Sequence, residues 1–173
     1  TTMKIITGFI APTKGEANVC GYSVEDHPIE VKQKIGYMPE NAPLYDDMVV
    51  VDFLNYVSDL REIPKNEKEQ KVNDIIQLCS LTGVKHQTIE TLSKGFRRRL
   101  SMAQALIHDP EILILDEPTD GLDPNQKHDV RTLIKKLSKD KCIILSTHIL
   151  EEVESVCNRA IIISQGEKKF DED

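Results

Sequence analysis

Basic charge, closely spaced cysteines and long apolar runs are all scarce in this sequence of 173 residues. Its 22 Lys and Arg against 29 Asp and Glu give a net charge of −7. That balance argues against a general nucleic-acid binder, because such a protein usually carries a basic excess on at least one face. No apolar run approaches the ~18 residues that a membrane-spanning helix needs. The sequence therefore predicts neither a nucleic-acid-binding domain nor a membrane-spanning helix within these residues.

The four cysteines, Cys20, Cys79, Cys142 and Cys157, lie far apart and none belongs to a CxxC pair. Disulfide frameworks and zinc sites are usually recognised by regular, close cysteine spacing. Two of the four lie inside apolar runs. We therefore expect reduced thiols in the core and the cytosol as the compartment.

The overall balance of apolar and charged residues predicts one globular domain with a core of its own. Apolar residues make up 39% and charged residues 29% of the chain, and a chain of this length buries about 70% of its unfolded surface. Residues 1–8 predict a short helix that is already under way at Thr1 and ends at Gly8. We expect from this that an upstream segment is missing; an ordinary frayed N-terminus is the alternative.

The first half of the chain predicts two strands followed by a group of helices. Residues 16–24 and 33–38 have the pattern of short strands separated by a polar connection. Between residues 50 and 81 the apolar positions recur at helical spacing, and Pro64 divides this stretch into at least two helices. Residues 93–107 predict a third. We interpret residues from about 45 to about 105 as a helical subdomain inserted in an α/β core.

Strands and helices alternate in the second half. The wholly apolar run 112–115 predicts a parallel strand covered on both faces, and Asp123 with Pro124 predicts the start of a helix. Residues 142–145 predict a second buried strand, and residues 149–157 predict a helix. Residues 160–164 predict a third strand, which ends at a Gln165-Gly166 turn. This alternation predicts an α/β fold built on a parallel sheet.

Two carboxylates, Asp116 and Glu117, directly follow the apolar run 112–115. Open α/β sheets bind ligands at the carboxyl ends of their strands. One carboxylate there can hold hydrated Mg²⁺ while the next reaches a water beside a phosphate. The next strand is followed by His148, which we expect beside both acids. The alternatives are an acidic turn after a core strand and a histidine at a helix N-terminus.

Ser93, Lys94 and Gly95 stand at the start of the third predicted helix. Ser93 is a good N-cap, Gly95 lets a ligand approach the backbone, and a helix N-terminus attracts anions. Arg97 to Arg99 point in three directions around the helix, so we expect most of them to be solvated or paired. The alternatives are a capped helix with a solvated basic face and a local nucleic-acid patch.

Together these motifs resemble the nucleotide-binding domain of ATP-binding cassette (ABC) proteins over nearly the whole chain. The resembling segments are the Q-loop (35–40, IGYMPE), signature loop (92–97, LSKGFR), Walker B strand (113–118, LILDEP), D-loop (121–124, GLDP) and switch-histidine loop (146–148, STH). The resemblance implies an α/β fold of the P-loop NTPase type. The signature loop and the run 39–45 (PENAPLY) are similar to those of ATPase subunits of bacterial exporters, of the multidrug and gliding-motility types.

The resemblance implies an ATPase that drives transport with ATP and Mg²⁺. Asp116 would hold Mg²⁺, Glu117 would polarise the attacking water, and His148 would contact the γ-phosphate. Glu40, where the family usually has Gln, would be an anionic metal ligand. The nucleotide-binding residues implied by the resemblance are Thr1, Thr2, Ser93, Lys94, Gly95 and Asp123.

The partners that the resemblance implies are proteins, with no nucleic acid among them. A second nucleotide-binding domain would pair head to tail, so that the signature loop of one domain meets the nucleotide of the other. A separate integral membrane permease would contact the loop at Glu40 and the helical subdomain. The protein would lie in the cytoplasm, peripheral at the inner face of the cell membrane.

The sequence departs from the family pattern because it lacks the Gly-rich Walker A loop and its Lys. In the family, the helix after that loop begins like residues 1–5, which predicts an N-terminally truncated domain. The alternative function is therefore a catalytically inactive truncated fragment that acts only as an interaction module. An ABC-type ATPase acting on DNA or ribosomes is disfavoured, because no heptad stretch separates Glu40 from Leu92 and only one cassette is present.

Overall fold

The computed structural model describes residues 1–172, which contain seven α-helices, seven strands and two short 3₁₀ turns. The helices are α1 (Thr2–Ile6), α2 (Pro28–Lys34), α3 (Val50–Leu60), α4 (Lys65–Leu78), α5 (Lys94–Leu106), α6 (Pro124–Leu137) and α7 (Leu150–Val156). The strands are β1 (Asn18–Val19), β2 (Tyr22–Ser23), β3 (Ile35–Met38), β4 (Ile112–Asp116), β5 (Cys142–Ser146), β6 (Ala160–Ser164) and β7 (Glu167–Glu172). Each helix within residues 1–172 is too short or too polar to cross a bilayer.

A three-stranded parallel sheet in the order β3-β4-β5 forms the centre of the fold. Tyr37 of β3 pairs with Ile114 of β4, which in turn pairs with Ile144 of β5. Leu113, Ile114 and Leu115 are completely buried, because packed elements cover both faces of the central strand. The predicted parallel α/β core is confirmed. The carboxyl ends of the three strands lie along one edge of this sheet.

Helices α3, α4 and α5 share one apolar core with the sheet. Each helix contributes side chains at helical spacing, among them Phe53 and Leu54 of α3, Ile75 of α4 and Leu100 of α5. Helix α4 begins directly after Pro64, as predicted, because proline cannot donate the backbone hydrogen bond that a helix interior requires. The sequence pattern therefore located all three helices.

The polar connection predicted between the first two strands is wrong, because these residues form helix α2. Pro28 begins the helix, where its missing N–H leaves no intrahelical bond unmade. Val31 is completely buried and packs in a second apolar cluster with Ile35. Because α2 extends to Lys34, the strand expected from residue 33 begins only at Ile35.

Two hairpins account for the strands that the sequence placed incorrectly. The first predicted strand is the β1–β2 hairpin, which turns at Cys20 and Gly21, both with positive φ. Strand β6 does not join the parallel sheet, because it pairs antiparallel with β7 across Gln165 and Gly166. These two turn residues have φ of 53° and 78°, the combination whose twist suits adjacent antiparallel strands.

Strands β5 and β6 are more exposed than predicted. The residues of β5 are half-buried or exposed, because β5 is an edge strand with a neighbour on one side only. Ile161, Ile162 and Ile163 of β6 are 55%, 53% and 55% exposed. The prediction that residues 142–145 form a buried strand is therefore wrong within the part of the chain that the structure describes.

All four cysteines lie within residues 1–172 and are free thiols there, but of these four only Cys79 is a core thiol. Cys79 is buried, and burial raises the pKa of its thiol to about 12. Cys157 is half-buried, and its pKa is raised mainly by burial. Cys20 and Cys142 are exposed, because they lie in the β1–β2 turn and at the start of edge strand β5. The core-thiol prediction is thus wrong for Cys20 and Cys142.

Candidate functional site

Asp116 and Ser146 end the neighbouring strands β4 and β5 at the same level of the sheet. The two residues are paired in register, and the Ser146 hydroxyl donates a hydrogen bond to Asp116 Oδ1. The backbone N–H of Glu117 donates to the carbonyl oxygen of Ser146 at 3.0 Å, which extends the ladder by one bond. The register therefore places the half-buried carboxylate of Asp116 at the carboxyl edge of the sheet.

Glu117 and His148 form a hydrogen-bonded pair at this edge. Glu117 has a φ of 49°, so the backbone turns sharply after β4. Its Oε2 atom lies 3.0 Å from His148 Nδ1. The pKa of the imidazole is raised, because the Glu117 carboxylate accepts its hydrogen bond and carries negative charge. The histidine side chain is 70% exposed, so the pair consists of a carboxylate and an imidazole at an open edge.

Ser93 caps helix α5, as the sequence predicts. Its hydroxyl oxygen accepts the N–H of Phe96 at 3.4 Å, which satisfies one of the free donors of the first turn. Gly95 is buried in the same turn, and a Cβ atom there would lie 2.7 Å from the side chain of Gln126. The glycine therefore lets the positive end of the α5 dipole approach the first turn of α6 closely.

The loop between β4 and α6 connects the two parts of the candidate site. Asp120 in this loop lies 3.5 Å from the ammonium group of Lys94 on α5. Asp123 caps α6 by accepting the N–H of Gln126 at 3.0 Å. The structure therefore brings the first turn of α5 against the loop that begins at Glu117.

Arg98 is a buried link that sequence reasoning missed. It is 8% exposed, donates a hydrogen bond to the backbone carbonyl of Glu40, and lies 3.9 Å from Asp120. Arg97 and Arg99 are paired as well, which agrees with the expectation that most of the arginines are solvated or paired. The available signal was the position of Arg98 three residues after Gly95, on the face of α5 that approaches the neighbouring loops.

Glu40 and the first two threonines are placed differently from the other predicted residues. Glu40 is exposed and follows β3, so it stands at the same sheet edge as Asp116. Thr1 and Thr2 are exposed at the start of α1, and Thr1 makes no side-chain capping bond. No side-chain hydrogen bond or ion pair among residues 1–172 joins these threonines to the Glu117–His148 pair.

Asp116 suits a magnesium site that is completed by substrate. Mg²⁺ usually binds through one or two carboxylates, waters and substrate phosphates, not through a cage made only of protein. Within residues 1–172 no cluster of three or more His, Cys, Asp or Glu side chains forms such a cage. The carboxylate of Asp116, held by the Ser146 hydroxyl at the sheet edge, fits the arrangement with phosphates and waters.

Comparison with known proteins identifies the family of this chain. The family model described as ABC transporter matches residues 1–120. An uncharacterized ABC transporter ATP-binding protein of Synechocystis is 39% identical over 173 residues. The ABC transporter A family member 1 of Dictyostelium discoideum is 36% identical over 166 residues. The chain therefore belongs to the ABC transporter family.

The two relatives align with nearly all of this chain, but the chain covers a smaller part of each relative. The chain spans about half the length of the Synechocystis protein and 19% of the Dictyostelium protein, with 96% of this chain aligned to each. A solved ATP binding subunit of an ABC transporter superimposes with a TM-score of 0.86 at 27% identity, over 98% of this chain and 71% of that chain. A solved dimeric ATP-binding cassette bound to ADP and Pi superimposes with a TM-score of 0.88 at 21% identity, over 99% of this chain and 78% of that chain. The α/β fold of an ABC ATPase domain is confirmed.

Proposed function

We propose that this chain is the ATP-binding and ATP-hydrolysing part of an ABC transporter that powers export through a separate membrane subunit. The observation that carries the proposal is the hydrogen-bonded Glu117–His148 pair beside Asp116 at the carboxyl edge of the sheet. Parallel α/β sheets bind ligands at this edge, and membership of the ABC transporter family supports a nucleotide as the ligand.

Glu117 is the proposed base for the water that attacks the γ-phosphate. His148 Nδ1 orients the carboxylate of Glu117, and His148 Nε2 would contact the γ-phosphate. Asp116 would hold Mg²⁺, with Glu40 as a further anionic ligand at the same edge. When bound, Mg²⁺ neutralises phosphate charge. The chain would then supply the proton acceptor at Glu117 and a phosphate contact at His148 from the same hydrogen-bonded pair.

The first turn of α5 is the proposed contact to a nucleotide held by a second domain. Its backbone N–H groups, the helix dipole and a cationic side chain all favour a phosphate. We propose a head-to-tail dimer with a second nucleotide-binding domain, in which this turn meets the nucleotide of the partner. The residues assigned to nucleotide binding are Ser93, Lys94, Gly95, Asp123, Thr1 and Thr2.

We propose that an integral membrane permease contacts the loop at Glu40 and an exposed patch formed by Tyr45 and helix α3 of the helical subdomain. The rings of Tyr45 and Tyr56 meet edge to face at 5.6 Å, and Leu60, one turn further along α3, is 63% exposed. Contiguous exposed apolar surface of this kind supports a protein partner. This patch belongs to the proposed helical subdomain, from about residue 45 to about residue 105, which would lie at the cytoplasmic face of the membrane. The signature loop and the run 39–45 support a bacterial exporter of the multidrug or gliding-motility type.

The experiment that tests this function is ATP hydrolysis by the full-length protein. We expect turnover that requires Mg²⁺ and stops when the metal is chelated, measured as released phosphate. A polypeptide of these 173 residues alone should turn over ATP at least ~10² to 10³ times more slowly, because the sequence has no Gly-rich loop with Lys to stabilise the transferred phosphoryl group.

The two preparations together separate the proposed function from its alternative. If the full-length protein hydrolyses ATP and the 173-residue polypeptide is nearly inactive, the proposed ATPase function holds for the protein. The isolated polypeptide is then the inactive fragment of the alternative. Comparable turnover by both would show that these 173 residues hydrolyse ATP without a Gly-rich loop and Lys among them. Absence of Mg²⁺-dependent turnover in the full-length protein would leave the interaction module as the function.

A further inference from the structure

Glu152 of helix α7 is a buried acidic side chain that the proposed chemistry does not use. It is 1% exposed, although it lies in the first turn of a helix whose neighbouring residues are open to solvent. Within residues 1–172 it forms no ion pair, so hydroxyl groups and the positive end of the α7 dipole are what stabilise its carboxylate. Buried polar groups are hydrogen-bonded, so the partners of this carboxylate show which parts of the fold it connects.

The two carboxylate oxygens of Glu152 bind one loop each. Oε1 accepts a hydrogen bond from the hydroxyl of Thr119, and Oε2 accepts one from the hydroxyl of Thr147 at 2.8 Å. Thr119 lies two residues after Glu117, and Thr147 lies directly before His148. The carboxylate therefore bridges the loops that follow β4 and β5, beyond the point where the Asp116–Ser146 pairing ends.

A role for Glu152 as a helix cap does not explain this geometry. The carboxylate at the third position of a helix can accept the N–H of the N-cap residue. In α7 that N–H, from Ile149, donates instead to the Thr147 hydroxyl at 3.1 Å. Thr147 thus connects the start of α7 to Glu152, and the carboxylate is left to bind across to Thr119, which is 1% exposed.

We propose that Glu152 is a positioning residue that clamps the loops after β4 and β5 together through Thr119 and Thr147, so that Glu117 and His148 stay within hydrogen-bonding distance. The proposal rests on the proposed ATPase function for its catalytic consequence. Without the clamp, the two loops are joined at this edge by the Glu117 N–H to Ser146 bond and by the exposed Glu117–His148 pair itself.

The test compares Thr119→Val and Thr147→Val with Thr119→Ser and Thr147→Ser in the full-length protein. Valine keeps the shape of threonine and removes the hydroxyl, which at Thr147 also accepts the N–H of Ile149. Serine keeps the hydroxyl in both roles. We expect each valine variant to lower kcat for ATP by about 10- to 100-fold, because small displacements of reacting groups have effects of this size. KM for ATP should stay within about twofold, and each serine variant should recover most of kcat.

A second measurement does not depend on hydrolysis. The ¹⁵N chemical shift of His148 Nδ1, recorded without nucleotide, reports its hydrogen bond to Glu117. We expect this shift to move toward that of a solvent-exposed imidazole in both valine variants. The matched control is Ser155→Ala. It removes a hydroxyl that donates a hydrogen bond to the backbone carbonyl of Glu152 at 3.2 Å, and it leaves the Glu152 carboxylate untouched. The control should leave both kcat and the shift unchanged.

The outcomes are distinguishable. Folded valine variants with wild-type kcat and an unmoved His148 shift would overturn the clamp, as would serine variants that are impaired as much as the valine variants. If the wild-type protein does not hydrolyse ATP but the shift moves as expected, the clamp stands and the ATPase function fails. If Thr119→Val does not fold, Thr147→Val decides, because Thr147 is only half-buried.

Discussion

Replacement of Glu117 by Gln should lower the rate of ATP hydrolysis in the full-length protein by about 10² to 10⁴, the usual contribution of a positioned general base. The amide keeps the size of the side chain but cannot take a proton from water. Glu and Gln have the same atoms up to Cδ, so the variant should tolerate the φ of 49° as the wild type does and keep the turn after β4. The measurement is phosphate release under single-turnover conditions, together with the Kd for ATP, which should change little.

The control for this variant is Glu154→Gln. Glu154 lies on the exposed side of α7, so its replacement makes the same change of charge without touching the sheet edge. It should hydrolyse ATP like the wild type. Wild-type turnover in Glu117→Gln would show that another group accepts the proton, and the role of the Glu117–His148 pair would have to be abandoned.

Replacement of Gly36 by Ala should destabilise the fold by about 3 kcal/mol or more, the upper end of the usual cost of overpacking. A Cβ atom at this position of β3 would lie 2.8 Å from Pro110 Cγ, and it would overlap the backbone carbonyl oxygen of Ala105 on α5. A backbone oxygen cannot move aside as a flexible side chain can, so β3 and α5 must separate. The measurement is the free energy of unfolding from denaturant titration.

Gly83→Ala is the matched control, because a Cβ at Gly83 has no heavy atom within 4 Å and the residue does not have positive φ. Its free energy of unfolding should stay within about 0.5 kcal/mol of the wild-type value. A Gly36→Ala variant as stable as this control would mean that β3 and α5 are farther apart in solution. That separation would also loosen the bond between Arg98 on α5 and the carbonyl of Glu40 after β3.

Where the deciding interactions are local, the sequence predicted the structure well. The all-apolar run ending at Asp116 predicted the central strand, because burial on both faces leaves no polar alternation. Ser93 and Asp123 predicted helix starts, since an N-cap side chain bonds to backbone two or three residues away. Three of the motifs that carry the resemblance to the ABC family, the signature loop, the Walker B strand and the D-loop, lie in these same segments.

Where the deciding contact lies far away in the chain, or depends on geometry that residue types do not show, the sequence predicted less. Strand β6 was expected in the parallel sheet, but the positive φ of Gln165 and Gly166 returned the chain onto itself as an antiparallel hairpin. Cys142 was expected in the core, but among residues 1–172 strand β5 pairs with β4 alone, so Cys142 is exposed. Residue type and spacing do not record which edge of a sheet remains unpaired.

The sequence by itself therefore determined the α/β class and the positions of most helices and strands. It also placed two adjacent carboxylates, Asp116 and Glu117, at the end of a buried strand. Only the tertiary structure decided that Arg98 and Glu152 are buried. Arg98 binds the backbone carbonyl of Glu40, which lies 58 residues away, and Glu152 binds the hydroxyl of Thr119, which lies 33 residues away. Nearer in the chain, Asp120 and Thr147 are their further partners. A charged side chain is buried where folding brings such partners to it, and that proximity arises from the packing of distant elements, not from local periodicity.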